Sequence, residues 1–241
     1  MNASSRIIVA LDYPSAQPAL QLVSQLANLG VAFKVGLELF CSEGPSLLEK
    51  LTAAGANRVF LDLKFHDIPN TMAGAVRSAT RYGVWMMNVH ASAGSPALRA
   101  SAEAAARESG RLGIPKPLLI AVTVLTSLDD SIVCGELGVG RSTQEQVLKL
   151  AELTQASGLD GVVAPAPDAP RLRAACGQDF LIVSPGIRPS GADIADQARI
   201  NTPAAAIAGG SSYLVVGRPI TQAQDPVEAC QSIIREVTAA L

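Results

Sequence analysis

The chain has 241 residues, of which 49% are apolar and only 17% charged, with a formal net charge of −2. That balance can fill a large core, excludes a disordered chain, and offers no basic block for holding a nucleic acid or an anionic membrane surface. The four cysteines, Cys41, Cys134, Cys176 and Cys230, form no CxxC pair, which suits reduced thiols rather than a disulfide framework or a zinc knuckle.

The opening residues, MNASSRIIVALD, lack a basic segment followed by a long apolar run, so a cytoplasmic protein with no membrane segment is expected. RIIVALD (6–12) reads as a first buried strand ending in Asp12, and Ala16–Leu29 has helical period. VAFKVGL (31–37) is a second strand carrying Lys34, followed by a helix over Pro45–Ala54. RVFLDLK (58–64) ends in Asp62-x-Lys64, and His66 and Asp67 lie in the turn before a helix over Thr71–Tyr82. VWMMNVHA (84–91) brings His90 to the end of a fourth strand, before a helix over Pro96–Ser109. PLLIAVTVLT (117–126) places Thr123 and Thr126 at the end of a fifth, before a helix over Thr143–Ser157. LDGVVAP (159–165) leads to a short helix, Ala166–Cys176, and DFLIVSPG (179–186) runs into Gly186 and Arg188 before another, Thr202–Gly209. SYLVVGR (212–218) ends in Gly217 and Arg218, ahead of a last helix over Pro226–Leu241.

Strands alternating with helices require crossover connections and therefore a parallel sheet. Eight such units in this length fit a single α/β domain over residues 1–241, a closed (β/α)8 TIM barrel. A doubly wound open sheet is the competitor, but LDYPSAQ after the first strand contains no glycine for a dinucleotide fingerprint.

In a parallel barrel all carboxyl ends of the strands meet on one face, where this fold assembles active sites. Asp62 and Lys64 are two apart on one strand, so they point the same way with Cα atoms about 6.5 Å apart. Asp12, Lys34, Asp62 and Lys64 alternate in sign, which gives every charge an opposite neighbour in a partly desolvated place. Such an array offers a fixed field and an ammonium able to give up a proton, which suits chemistry that builds negative charge on carbon and then quenches it. An ion-pair network that merely holds the barrel mouth is the structural alternative. The glycines and arginines after the last two strands, Gly186 with Arg188 and Gly217 with Arg218, suit a phosphate, and Gln197 is a neutral donor in the polar loop between them. His66 and His90 suit packing or orientation at least as well as chemistry, and two histidines without HExxH spacing give little support to a histidine-based metal site.

FLDLKFHDIPNT, together with IVALD, FKVGLELF, AVTVLTS, VSPGIRP and VVGRPIT, resembles the bacterial-type orotidine 5'-monophosphate decarboxylase family through nearly the whole chain in order. The D-x-K-x-x-D core alone resembles equally the wider superfamily with magnesium-dependent phosphosugar decarboxylases and aldolases. Those relatives are expected to carry a glutamate where this chain has Lys34, which favours the metal-free decarboxylase. The resemblance implies a small-molecule substrate, orotidine 5'-monophosphate, converted to UMP and carbon dioxide without metal or cofactor. It implies Lys64 as the proton donor to C6, Asp62 beside the substrate carboxylate, and Asp12 and Lys34 at the ribose. Thr126 is then the reader of the pyrimidine, Gln197, Gly217 and Arg218 the phosphate grip, and Arg188 part of its closing loop. Homodimerisation with shared sites is also implied, with Asp67 and Thr71 delivered to the neighbour's ribose.

Overall fold

A computed structural model of the chain describes residues 2–189 and 201–241. Among these, strands β1 (Ile7–Ala10), β2 (Ala32–Val35), β3 (Val59–Phe65), β4 (Met86–His90), β5 (Leu118–Val122), β6 (Gly161–Val163), β7 (Leu181–Ser184) and β8 (Tyr213–Val216) pair in sequence order. All pairs are parallel, and β8 returns to β1, closing the expected barrel. Helices α1 (Ala16–Leu26), α2 (Leu37–Glu43), α3 (Ser46–Ala53), α4 (Pro69–Thr80), α5 (Ser95–Leu112), α6 (Thr143–Ala156), α7 (Ala169–Cys176), α8 (Pro203–Ala208), α9 (Arg218–Thr221) and α10 (Pro226–Ala239) make the connections.

The strands are apolar on both sides because they face two cores. Ile7, Val9, Phe33, Val35, Leu61, Met87, Val89, Leu214 and Val216 pack outward among the helices. Their alternates, Ile8, Ala10, Ala32, Phe60, Met86, Ile120, Val183, Tyr213 and Val215, fill the barrel interior. Side-chain direction alternates along a strand, so the inward row continues upward from Ala10 to Asp12, from Ala32 to Lys34, from Phe60 to Asp62 and from Met86 to Asn88. The same period that builds the inner core thus lifts polar groups into its upper mouth.

Two further details set the frame. Gly161 stands opposite Leu181 where β6 and β7 meet, and a Cβ there would overlap the Leu181 carbonyl oxygen, so closure at this seam needs glycine. At the end of the barrel away from the polar mouth, Arg58 stacks 4.9 Å from the centre of the Trp85 ring and donates to the carbonyls of Ser5 and Gly30 at 3.0 and 2.9 Å. Trp85 meets Tyr213 edge-on, giving the amino-terminal end an aromatic floor.

Three departures from the sequence reading shape the barrel mouth. FKVGL turns at Gly36 into α2, a helix absent from the sequence reading because its seven residues carry too little periodicity. The fifth strand stops at Val122 rather than running to Thr126; the Thr123 hydroxyl donates to the Val163 carbonyl at 2.9 Å, and the chain then leaves the sheet. A short helix, α9, begins at Arg218 directly after β8.

Candidate active site

Four charged side chains meet at the mouth. Lys34 Nζ lies 3.0 Å from Asp12 Oδ1 and 3.3 Å from Asp62 Oδ2, and Lys64 Nζ lies 2.8 Å from Asp62 Oδ1. The order is Asp12, Lys34, Asp62, Lys64, alternating in sign as expected. The side chains of Lys34 and Asp62 are 10% and 11% exposed, Lys64 is 30% exposed, and Asp12 is 62% exposed. The inner pair is therefore shielded from water while the two ends of the chain of charges are more open.

Lys64 sits in an unusual backbone conformation, with φ 51°, the one non-glycine among the described residues with positive φ. The left-handed region costs an L-residue roughly 1–2 kcal/mol. Here the strand pairing between β3 and β4 shifts register between Leu61 and Phe65, and the bulge turns the lysine into the mouth. Asn88 of β4, fully buried, holds the bulge: its Oδ1 accepts from the Lys64 backbone N–H at 2.8 Å, and its Nδ2 donates to Asp62 Oδ1 at 2.6 Å. Two residues further on, His90 faces His66 with ring centres 5.3 Å apart. Burial pushes the His90 imidazole below its ordinary value, the His66 and Lys64 charges push it the same way, and Asp62 opposes them.

The array forms one wall of a cavity of about 320 Å³, within the ~300–1,000 Å³ typical of small-molecule sites. Phe60, Val122, Val124, Leu125, Val163, Ala164, Pro185 and Val215 give it an apolar bed suited to a flat ring. Gly186, Arg188, Gly217 and Arg218 also line it, two arginines and two side-chain-free backbones suited to an anionic group, and a Cβ on Gly217 would stand 3.7 Å from Asp12 Oδ2. A charged array, apolar side chains and two arginines thus line one opening. Among the described residues no three histidine, cysteine or carboxylate side chains gather as a metal site.

The sequence profile of the Orotidine 5'-phosphate decarboxylase / HUMPS family matches residues 5–233. The chain belongs to this family. It is 52% identical over 235 residues to orotidine 5'-phosphate decarboxylase of Alkalilimnicola ehrlichii, covering 98% of this chain and 97% of that relative. The Moorella thermoacetica protein of the same name is 50% identical over 237 residues, covering 98% and 94%. A crystal structure of orotidine 5'-phosphate decarboxylase from Lactobacillus acidophilus superimposes with a TM-score of 0.86 at 38% identity, covering 97% of this chain and 99% of that one.

In this member of the decarboxylase family the cavity brings together Asp12, Lys34, Asp62, Lys64, Thr126, Arg188, Gly217 and Arg218 from the sequence-predicted set. Asp67 and Thr71 are exposed and lie outside this cavity; Asp67 Oδ1 instead accepts from the Ile68 amide at 2.6 Å. Gln197 lies outside the described residues. Arg188 is buried, and its amide donates to the Asn201 carbonyl at 3.1 Å. Sequence reasoning missed two features. Asn88 escaped notice because one amide in VWMMNVHA looks like an interruption of a strand, although its even spacing from His90 marks it as inward. Gly36 also escaped: a Cβ there would stand 3.1 Å from Lys34 Nζ and 3.5 Å from Asp12 Oδ1, so its lack of a side chain makes room for the ion pair.

Proposed function

We propose that the chain is an orotidine 5'-phosphate decarboxylase, converting orotidine 5'-monophosphate to UMP and carbon dioxide, the closing reaction of pyrimidine nucleotide synthesis. The observation that carries this reading is the Asp12–Lys34–Asp62–Lys64 series lining one cavity together with apolar side chains and with Gly217 and Arg218. Family membership and the relatives' names support the same substrate.

The reaction follows from these positions. Arg218 and the Gly217 backbone hold the phosphate, with Arg188 and Gln197 completing the grip, and the ribose rests against Asp12 and Lys34. Thr126 reads the polar edge of the pyrimidine, whose faces lie against Phe60, Val122 and Val215. This orientation sets the substrate carboxylate beside Asp62, where like charge disfavours the bound ground state. As the bond from C6 to the carboxylate breaks, its electron pair stays on C6 and carbon dioxide leaves. The Lys64 ammonium stabilises that pair electrostatically and then transfers its proton to C6, giving UMP and a neutral amine that recovers a proton from solvent. The electron pair left on C6 ends in the new C6–H bond, so no electron acceptor is required, and Lys34 stands between the two carboxylates as their counter-charge. Phosphate contacts far from C6 contribute to rate by organising the charged wall.

The active unit is a homodimer in which Asp67 and Thr71 of one protomer reach the other's ribose. The placement of both residues outside the cavity supports this, as does the exposed apolar side chain of Ile68 between them, 68% accessible.

The test is loss of orotidylate absorbance with EDTA-treated protein. Turnover at full rate is expected; activity that requires added magnesium would instead indicate a phosphosugar-type relative, and tight nucleotide binding without turnover a silent barrel. Mixing inactive Lys64→Ala and Asp67→Ala dimers is expected to restore activity, since half of the hybrid sites carry neither lesion. No recovery after verified subunit exchange would remove the shared-site reading.

A further inference from the structure

Asn88 occupies a place where an apolar residue would be expected. It follows Met86 on the inward row of β4, stands in register with Ile120 of β5, and has no exposed surface. A buried amide is costly unless its groups are paired, and this one is paired at both ends. Its Nδ2 donates to the same Asp62 oxygen that receives Lys64 Nζ, and its Oδ1 accepts from the Lys64 backbone amide. One side chain thereby fixes both the acceptor of the Lys64 ammonium and the left-handed backbone from which that ammonium projects.

We propose that Asn88 is a positioning residue for the proton donor: it clips Lys64 into the left-handed bulge and aims its ammonium. The inference rests on the decarboxylase reading of Lys64. Asn88 lies below the array and touches neither end of the nucleotide slot, so its loss separates chemistry from binding. Without the clip the Lys64 amide is unpaired, its backbone relaxes toward an extended conformation, and Nζ leaves its place beside Asp62.

In Asn88→Leu, kcat falls at least about 100-fold, the scale of a misplaced reacting group, while the dissociation constant of UMP measured by calorimetry stays within about threefold of wild type. A general packing defect would weaken both together, and a kcat within about threefold of wild type would overturn the proposal. Asn88→Asp supplies a second, independent reading. The groups facing position 88 are Asp62 and Lys64 from β3 and His90 on its own strand; β5 presents Ile120 and Val122. Beside the Asp62 carboxylate an introduced carboxyl is raised in pKa, and only its protonated form can donate to Asp62. The activity of Asn88→Asp relative to wild type therefore rises as pH falls from about 8 to about 6, and a flat ratio counts against the clip. If the wild type itself does not turn over orotidylate, the decarboxylase reading fails and the clip is judged on its own. A crystal structure of Asn88→Leu with Lys64 moved out of the left-handed region sustains it, and one with Lys64 unmoved overturns it.

Discussion

Replacing Lys34 by methionine removes one charge from the middle of the array and keeps most of its volume. At 3.3 Å, with both side chains about one-tenth exposed, the attraction between Lys34 and Asp62 is roughly 5 kcal/mol at an effective dielectric of ~20. Part of that is already spent on desolvating the two ions, and removing one partner of a buried pair usually costs about 3–5 kcal/mol net. Asp62 keeps Lys64 at 2.8 Å and the Asn88 amide at 2.6 Å, which places this case at the lower end, about 3 kcal/mol. The contact with Asp12 is also short, 3.0 Å, yet Asp12 is 62% exposed, so Asp12→Asn costs less than about 1 kcal/mol. Urea unfolding followed by the fluorescence of the single tryptophan, Trp85, checks both, because that ring lies on the barrel floor away from the substitutions. With a slope of ~2–3 kcal/mol per molar, the midpoint of Lys34→Met falls by roughly 1–1.5 M and that of Asp12→Asn by under 0.5 M, at equal protein concentration. Equal shifts, or a more stable Lys34→Met, would mean that the cost of burying the charges exceeds their attraction and that the array is not held by mutual pairing.

Lys64→Ala should lower kcat at least ~10⁴-fold through loss of the proposed proton donor, whereas Arg218→Ala should raise KM and lower kcat/KM with a smaller effect on kcat at saturation; steady-state kinetics distinguish the two patterns. Gly36→Ala leaves backbone geometry unstrained but sets a methyl group 3.1 Å from Lys34 Nζ; turnover should fall about tenfold with a stability change below ~1 kcal/mol, and unaltered turnover would show that Lys34 has room to yield. Glu108, buried between α4 and α5, is held at about 2 by hydrogen bonds from Arg111 and Arg81. Because a free glutamate titrates near ~4.3, this group adds stability above that pH and loses it as pH falls toward 2; Glu108→Gln should flatten the acid limb of the stability curve, and an unchanged limb would place the titrating carboxylates elsewhere.

The barrel was legible because its two cores demand two apolar faces, and a run such as RIIVALD has no other use in a chain this poor in charge. What stayed hidden was local. Thr123 and Thr126 look alike at the end of PLLIAVTVLT, yet one ties itself to the Val163 carbonyl and the other reaches the cavity. Strand pattern cannot separate them, because the chain leaves the sheet at Val122 and period two ceases to apply.

The charged array shows the same division at finer scale. Alternating sign could be inferred from spacing alone, since Asp12, Lys34 and Asp62 continue inward rows whose lower members are Ala10, Ala32 and Phe60. Lys64 by the same rule continues that row one step above Asp62, but spacing alone leaves the two Cα atoms about 6.5 Å apart and does not fix where the ammonium points. The bulge between Leu61 and Phe65 turns the chain and lets Nζ fold back to 2.8 Å from Asp62. A strand left to its own preferences would not keep a lysine at φ 51°. The conformation persists because Asn88, on a different strand, supplies the missing acceptor, and that dependence crosses 24 positions of sequence. Local pattern therefore specifies which side chains reach the mouth, while a long-range hydrogen bond determines how the reactive one is aimed.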